Sequence, residues 1–428
     1  MRSHRWLVAS AVLVCLCANA QESAGDNPKQ RVKAAKELGK SGSEAIPQLA
    51  AMLKDPSVDV RQEAVRSIVE IGTQYSLDPL IAATSDNDPD VQIRAVDGIV
   101  NFYLPGYVES GLQRLGSAVR KRFDRENTQV IDPYVNVRED AIAAIAKLVR
   151  GGASMESRAT AARAIGVLRG KPGLDELIDG GLKGKDSTVI YESLISIQKI
   201  RDVSAGPRVV FLLRDLDEHV QLAAIETAGL LKTKEAVPDL QKLFRDSRSE
   251  KVRRSALAAL AMIAEPSSRP LFHQGFTDKS EEIRTAAAEG FARLKDTADR
   301  AEVESAFNEE RKMGPRLADA FALVSLGQID TGELSPLIYL VNTLNSKSYR
   351  DVARPYLVEL ARGEAVRKAL YQRLPQGTRD EKIGLVRVLS VSGDRESVPH
   401  IEALTKDSDV EVAQEAIRAL RNLQSRLG

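Results

Sequence analysis

The chain has 428 residues, of which 28% are charged and only 4% are aromatic, and its formal net charge is +1. This near-neutral balance excludes a protein that binds a strongly charged polymer through its overall charge. Abundant alanine and leucine with few aromatic residues are typical of stacked helices, whose small side chains must interdigitate.

The first twenty residues have the order of a cleavable secretory signal. Arg2 and Arg5 precede an apolar run from Trp6 to Cys17, and Ala18-Asn19-Ala20 has the form of an A-x-A cleavage site. We therefore predict cleavage after Ala20 and export to the periplasm of a bacterium or to the external medium. Residues 21–26 are predicted to form a short disordered lead.

Cleavage would remove both cysteines, Cys15 and Cys17, and would change the formal net charge only from +1 to −1. A lipoprotein signal is disfavoured because Val14 and Leu16, rather than small residues, precede these cysteines. The mature chain would then depend on packing rather than disulfides for its stability. No later apolar run reaches the length of about 18 residues that suggests a membrane span, so we predict no stable membrane insertion.

A short pattern recurs along the chain and is clearest over residues 237–294. Val252-Arg253-x-x-Ala256, followed by Leu260 and Ile263, is repeated 31 residues later as Ile283-Arg284-x-x-Ala287, followed by Phe291 and Leu294. The steps of four, four and three place these apolar side chains on one face of an α-helix. A shorter apolar helix precedes each copy, so the repeating unit is predicted to be a helical hairpin.

In chain order, the pattern is faint at 31–38 and complete at 46–71, and the next return helix spans 91–102. An insertion near 104–132 interrupts it. The copies at 137–148 and 158–168 are interpreted as the two helices of one hairpin. The spacing is regular from 189 to 294, degenerate over 300–393 and restored at 397–423. We predict one continuous repeat domain over 27–428.

Proline and aspartate mark the two ends of the predicted first helices. Pro47, Pro238 and Pro270 stand near their starts, where the missing N–H costs nothing and the fixed φ suits a helix. Asp55 and Asp278 stand in the turns that follow, where a carboxylate can cap the next helix.

A hairpin of this length and pattern resembles the HEAT repeat, and more narrowly the HEAT-like repeats first associated with phycobilisome lyases. The resemblance is clearest over 46–102 and 220–294. It implies an all-α fold, a right-handed α-solenoid of about 10 to 12 stacked hairpins, whose concave surface usually binds proteins. The family includes scaffolds, bilin-attachment subunits and DNA-repair glycosylases, so the fold alone does not fix an activity.

The arginine of the repeated pattern has two interpretations. It could form a basic stripe along the concave face, or it could pair with turn aspartates of the same or a neighbouring repeat. The resemblance favours the second interpretation, a structural ladder. Its candidate residues are Asp55, Arg61, Arg138, Arg158, Asp246, Arg253, Asp278 and Arg284.

The sequence offers little support for catalysis. After cleavage the histidines are His219, His273 and His400, which lie in different repeats without metal-ligand spacing such as His-Glu-x-x-His. Adjacent carboxylates such as Glu281-Glu282 do not face one another across a cleft. We predict no enzymatic activity, no cofactor and no metal site.

Two regions are candidate partner-binding sites because aromatic and arginine side chains are enriched at interaction hot spots. The first combines aromatic residues before the insertion with basic residues inside it, and the second is a group of tyrosines in the degenerate repeats. In both, the alternative is that these side chains only fill packing gaps in irregular repeats. The residues are Phe102, Tyr103, Tyr107, Arg114, Arg120, Lys121, Arg122 and Arg125 in the first, and Tyr339, Tyr349, Tyr356 and Tyr371 in the second.

The leading hypothesis is an exported, non-enzymatic scaffold that binds a protein partner of unknown identity. One alternative, suggested by the resemblance, is a lyase-like or chaperone-like accessory subunit. Another is a binder of an anionic polymer or a membrane surface through the basic cluster at 114–125. Export and near-zero net charge argue against nucleic acid as a partner.

Overall fold

The computed structural model describes residues 27–108, 129–132 and 134–428, and every regular element in these ranges is a helix. The chain divides into two compact units, Met1–Thr227 and Ala228–Gly428. The predicted signal and lead at 1–26 lie outside the described residues. Among the described residues, no helix combines the length and the apolar character needed to cross a bilayer.

The first unit consists of helical hairpins in series, with the boundary to the second unit inside the last helix, α10. Its α-helices are α1 (Pro28–Leu38), α2 (Ile46–Met52), α3 (Val58–Ile71), α4 (Leu77–Ala83), α5 (Pro89–Tyr103), α6 (Glu139–Gly151), α7 (Met155–Val167), α8 (Leu174–Glu176), α9 (Ser187–Ile200) and α10 (Glu218–Leu230). A π-helical turn, Leu177–Leu182, continues α8, and the 3₁₀ segment Val203–Arg214 takes the place of a first helix before α10.

The second helices of the first unit pack one on the next, in the order α3, α5, α7 and α9. Helix α6 packs on α7, which confirms that these two helices form one hairpin. Because α5 contacts α7 directly, the stack is continuous although the insertion separates the two helices in sequence. The end of the insertion returns to this stack where the Ile131 N–H donates to the Val167 carbonyl at 2.9 Å.

The second unit contains six hairpins whose second helices are α12, α14, α16, α18, α20 and α22. The complete set is α11 (Val237–Asp246), α12 (Glu250–Ile263), α13 (Arg269–Phe276), α14 (Glu281–Leu294), α15 (Arg300–Glu309), α16 (Met313–Ser325), α17 (Pro336–Thr343), α18 (Arg350–Leu360), α19 (Glu364–Arg373), α20 (Arg379–Ser392), α21 (Ser397–Leu404) and α22 (Val410–Leu427). Each second helix packs on the next, so the prediction of stacked helical hairpins is confirmed, including in the degenerate stretch.

Helix α12 shows how the repeated pattern produces this stacking. Its N-cap is Ser249, whose hydroxyl accepts a hydrogen bond from the Val252 N–H, and its C-cap is Ala264 in the left-handed conformation. Val252, Ala256 and Leu260 are almost completely buried, as the period of the pattern predicts. Their burial against α11 and α14 leaves a largely polar face of the helix on the surface.

Candidate functional site

Ion pairs join the turn of one hairpin to the turn of the next in the first unit. Arg31 Nε lies 2.8 Å from Asp55 Oδ2, and Arg61 Nε lies 2.7 Å from Asp86 Oδ2. Arg61 also donates to the main-chain carbonyl of Asp55 at 3.0 Å. The arginine therefore ties its own turn to the following one, and the side chains of the Arg61–Asp86 pair are only 10% and 9% exposed.

The second unit continues the same arrangement. Arg284 Nε lies 2.8 Å from Glu310 Oε2, and its Nη1 donates to the Asp278 carbonyl at 2.9 Å. Arg253 lies 3.8 Å from the Asp278 carboxylate and donates to the Phe244 carbonyl. The Lys382–Asp407 pair repeats this arrangement further along the chain, whereas Arg367–Asp394 joins the first helix α19 to the loop that precedes α21.

The remaining ladder candidates have other surroundings. Arg158 donates to the Gly152 carbonyl in the turn before its helix. Arg138 precedes a first helix, α6, and is half-exposed between Asp78 and Asp140. Asp246 is the exposed last residue of α11.

The ladder contacts change the pKa values of several of its carboxylates. Burial opposes ionisation of Asp55, but hydrogen bonds from Arg31 and the Ser57 N–H hold its pKa below the ordinary value. In the same way, Arg284 and the N–H groups of Arg311 and Lys312 lower the pKa of Glu310 against its burial. These carboxylates are therefore ionised at neutral pH and act as fixed charges at the joints.

The structure places the aromatic residues before the insertion in contact with one another. The rings of Phe102 and Tyr103 meet edge to face with centroids 5.0 Å apart. The Tyr103 hydroxyl oxygen accepts a hydrogen bond from the Arg138 N–H at 3.1 Å, so this ring links α5 to the start of α6. Tyr107 follows in the turn after α5. The five basic candidates, Arg114, Arg120, Lys121, Arg122 and Arg125, lie outside the described residues.

The four candidate tyrosines do not share one surface. Tyr371 is buried, stacks on His400 with centroids 4.0 Å apart and shares a hydrogen bond of 2.6 Å with Ser397. Tyr339 is half-buried and meets the Phe307 ring edge to face. Tyr349 is 37% exposed and precedes α18.

Tyr356 belongs to a network that crosses three successive second helices. Its hydroxyl donates to Glu289 Oε1 at 2.6 Å, and its ring stacks on Phe321 with centroids 4.7 Å apart. Arg293 binds both Glu289 and Glu359 at 3.0 Å, with its guanidinium carbon 5.4 Å from the Phe321 ring centroid. Burial raises the pKa of Tyr356 well above its ordinary value, so the hydroxyl remains a donor.

This network closes over α16, which is buried on nearly every side. Asp319 lies in that helix at the position that alanine occupies in α12 and α14, and it is only 2% exposed. Burial, supplemented by the charge of Glu310, raises the pKa of Asp319 to about 8. Its neighbour Arg316 lies with its guanidinium carbon 5.1 Å from each of the ring centroids of Phe307 and Tyr339.

The first unit has a smaller polar group on its second helices. Arg163 Nη2 lies 2.6 Å from Glu192 Oε1, which joins α7 to α9. Burial lowers the pKa of Lys199 to about 8; Glu192 opposes this change and Arg163 adds to it. A lysine of this kind can exchange a proton near neutral pH, but the Arg163–Glu192 pair beside it connects two packed helices, so we assign this group to packing.

One group of described side chains lies close enough to share a metal ion, namely His273, Asp299 and Glu302. His273 Nδ1 is 2.9 Å from Glu302 Oε2, and its Nε2 is 3.4 Å from Asp299 Oδ1. Arg269 already binds that Asp299 oxygen at 2.6 Å and would repel a cation there. These contacts form an ion-pair cluster between α13 and α15, and we assign it no metal.

A cavity of about 580 Å³ opens in the second unit beside the loop that joins α16 to α17. Glu304, Asp330 and Glu333 line it together with apolar side chains, and the lining contains no lysine or arginine. Leu334, at its edge, is 93% exposed. The lining of the cavity therefore combines acidic and apolar side chains. The sequence pattern did not indicate it, because its acidic residues are dispersed over a helix and a loop.

Comparison with known proteins identifies the repeats. Among solved structures, an engineered protein is 19% identical and has a TM-score of 0.38, with 94% of this chain and 96% of that chain covered. Importin beta is 15% identical with a TM-score of 0.40, and the match covers 89% of this chain and 57% of that chain. The karyopherin Kap121p is 11% identical with a TM-score of 0.40, and the match covers 89% of this chain and 45% of that chain. Likenesses of this size support no inference about function.

No curated protein matches the sequence significantly. The model of the HEAT-repeat family matches residues 18–100, 174–261 and 244–323, which together make up more than half of the chain. The chain therefore belongs to the HEAT-repeat family.

Proposed function

We propose that this protein is an exported, non-enzymatic scaffold that binds another protein through its stacked hairpins. The observation that carries the proposal is the HEAT-repeat match over more than half of the chain, because HEAT-repeat proteins generally bind other proteins. Each hairpin packs mainly on its neighbours, so such a stack presents a long surface without needing a large globular core.

The distribution of charge supports a protein partner over a polymer of one charge. Several charged side chains on successive second helices of the second unit, or at their first turns, are paired with one another. The pairs are Arg254–Glu282 (2.8 Å), Lys312–Glu281 (2.9 Å) and Arg387–Glu415 (2.8 Å). A surface neutralised in this way gives little long-range attraction to a polyanion, whereas a protein of mixed charge can still bind by shape and local contacts.

The non-enzymatic part of the proposal rests on the surroundings of the groups with shifted pKa values. Asp319 lies inside the packing of α16, and Lys199 lies beside an ion pair that joins α7 to α9. Groups that perform catalysis usually converge on a cavity that a substrate can enter. Neither residue lines the acidic cavity of the second unit.

Export is proposed on the basis of the first twenty residues. The expected result is a mature chain that starts at Gln21, measured by intact-mass spectrometry of protein recovered outside the cytoplasm. Ala20→Arg should block cleavage, because the signal peptidase site requires a small residue there. An unprocessed parental chain recovered from the cytoplasm would contradict the proposal.

The binding function is tested by cross-linking mass spectrometry on the tagged mature chain, residues 21–428, in the exported fraction of the source cells at physiological salt. We expect cross-links to one principal protein, concentrated on a contiguous set of hairpins. A tagged exported protein of unrelated fold provides the background. Only intramolecular links, or partners shared with that background, would contradict the scaffold. Retention on an anionic polymer that is lost at high salt would instead support binding through 114–125.

A further inference from the structure

The network around Tyr356 joins two hairpins that are not neighbours in the stack. The Tyr356 hydroxyl of α18 donates to Glu289 Oε1 of α14 at 2.6 Å, although the hairpin of α15 and α16 lies between these two helices. Arg293 of α14 donates to both oxygens of Glu359 of α18, from Nε and from Nη2, each at 3.0 Å. Stacked hairpins pack mainly on their neighbours, so links across an intervening hairpin are a separate feature of the second unit.

The four side chains of these links also bind one another, and we call Glu289, Arg293, Tyr356 and Glu359 the strap. Glu289 accepts from Tyr356 on one oxygen and from Arg293 Nη1 on the other, the second at 3.0 Å. Arg293 therefore lies between two carboxylates, and each of its bonds is a charge-assisted hydrogen bond. The Arg293 and Glu289 side chains are only 16% and 17% exposed, so salt screens their attraction less than that of a surface pair.

The residue beneath the strap adds an independent indication. Phe321 of α16 stands where Glu289 stands in α14, and it lies about 200° around the helix from Leu323, a buried position of the repeated pattern. A side chain in this position faces solvent when a helix buries only one face. Phe321 is nevertheless only 1% exposed, and its ring stacks on the Tyr356 ring with the two planes 11° apart. An aromatic ring at this outward position gives the strap an apolar base.

From these contacts we infer that the strap fixes the spacing of α14 and α18, so that the three hairpins from α13 to α18 move as one body. Rotation at either interface beneath it, α14–α16 or α16–α18, changes the distance that the strap spans. A hydrogen bond of 2.6 Å is lost within about 1 Å of stretching. The small rotations that a stack of hairpins permits at each interface are therefore resisted here. The strap lies within one chain and acts without a partner.

The test measures the distance between nitroxide labels in equivalent turns, two hairpins apart. Residues 21–428 contain no cysteine, so labels attach only to introduced cysteines. Lys279→Cys and Lys347→Cys place labels in the exposed turns before α14 and α18, across the strap. Lys347→Cys and Lys406→Cys form the reference pair, which spans the same number of hairpins from α18 to α22. Double electron–electron resonance on the mature chain gives the distribution of each distance.

The strap variant combines Tyr356→Phe with Glu359→Ala. It removes both links from α18, but it keeps the ring on Phe321 and the Arg293–Glu289 pair within α14. We expect the α14–α18 distance to lengthen and its distribution to become about twice as wide, because only the contacts between neighbouring hairpins then limit the rotations. The α18–α22 distribution should not change. An unaltered α14–α18 distribution in this variant would overturn the inference.

A matched control removes one hydroxyl contact and one ion pair that join neighbouring hairpins only. Tyr339→Phe removes the hydroxyl contact with Met313, and Arg254→Ala removes the pair with Glu282. The control variant should leave both distance distributions as they are in the parental chain. Equal widening in the control variant, or equal widening of the reference distance in the strap variant, would mean general loosening of the stack and would also contradict the strap.

The single variant Tyr356→Phe keeps the test decisive if the double variant does not fold. It loses only the hydroxyl, and the pair between Arg293 and Glu359 remains. We expect a smaller shift of the α14–α18 distance in the same direction, with an unchanged far-ultraviolet circular dichroism spectrum. If the double variant did not fold and this single variant showed no shift, the strap would be rejected. Because the samples contain no partner, the result is independent of whether the scaffold captures one.

Discussion

Asp319 is a single residue whose effect on stability should depend strongly on pH. Its pKa is raised from an ordinary 3.8 to about 8 by burial, so the folded chain keeps a proton that the unfolded chain releases above about pH 4. Because the folded state binds more protons, the free energy of unfolding should fall as pH rises from about 4 to about 8 and then level off. Asp319 therefore destabilises the fold most at alkaline pH.

Asp319→Ala should remove this dependence, because alanine occupies the equivalent position in α12 and α14. We expect the variant to gain several degrees in melting temperature relative to the parental chain at pH 8, and clearly less at pH 5. Thermal unfolding followed by circular dichroism at the two pH values measures the difference. As a control, Asp246→Ala, at the exposed end of α11, should change the melting temperature by the same amount at both pH values. A pH-independent effect of Asp319→Ala would show that the buried carboxyl is ionised throughout.

At the scale of the helix, substitutions at two glycines of the second unit separate the effect of side-chain packing from the effect of intrinsic helix propensity. Gly290 lies in α14, where an added Cβ would come 2.6 Å from the completely buried Phe272 ring. Gly314 lies in α16, where the nearest atom to an added Cβ is Thr285 Oγ1 at an ordinary 3.6 Å. Replacing either glycine by alanine removes backbone freedom that favours the unfolded chain.

We therefore expect opposite outcomes at the two sites. Gly290→Ala should destabilise the second unit by about 1 to 3 kcal/mol, because the aromatic ring cannot move without disturbing its own contacts. Gly314→Ala should stabilise it by roughly 0.5 to 1 kcal/mol. Chemical denaturation of both variants beside the parental chain measures the changes. A gain in stability from Gly290→Ala would mean that the α13–α14 interface is looser than the structure indicates.

The helices also show which parts of the fold the sequence could predict. The hairpins were predictable where a second helix buries one face and exposes the other, as α12 and α14 do, because the apolar period is then visible. Helix α16 is buried on nearly every side, so its sequence lost the contrast between apolar and polar positions on which the pattern depends. The degenerate stretch at 300–393 therefore hides hairpins that pack in the regular order.

Candidate sites were less predictable because side chains that meet in space lie one or two hairpins apart, as the separations of 26 residues for Tyr371–Ser397 and 67 residues for Tyr356–Glu289 show. Tyr356 and Tyr371 are close in sequence, yet Tyr356 bonds to Glu289 and Tyr371 to Ser397, on opposite sides along the chain. Their clustering in sequence was not clustering in space. The acidic cavity combines α15 with the loop after α16, and no spacing rule connects Glu304 with Glu333.

At the scale of the whole molecule, the ladder of ion pairs runs through both units and sets the response to acid. Asp55, Glu310 and Asp407 each have a pKa lowered by their partners. A lowered pKa stabilises the fold above the ordinary value near pH 4, and this stabilisation is lost as pH falls through the lowered value. We therefore expect the melting temperature to fall steeply below about pH 4.

Glu310→Gln tests whether the ladder causes this acid response. Arg284 is 19% exposed and would lose its carboxylate partner, so we expect a loss of about 1 to 3 kcal/mol at pH 7. The difference from the parental chain should narrow as pH falls from 7 towards 3, because increasing protonation of the parental carboxylate removes the same charge. Glu364→Gln breaks an exposed pair with Lys368 and should change stability much less than Glu310→Gln does. If Glu310→Gln lost the same stability at both pH values, the acid transition would have its origin outside the ladder.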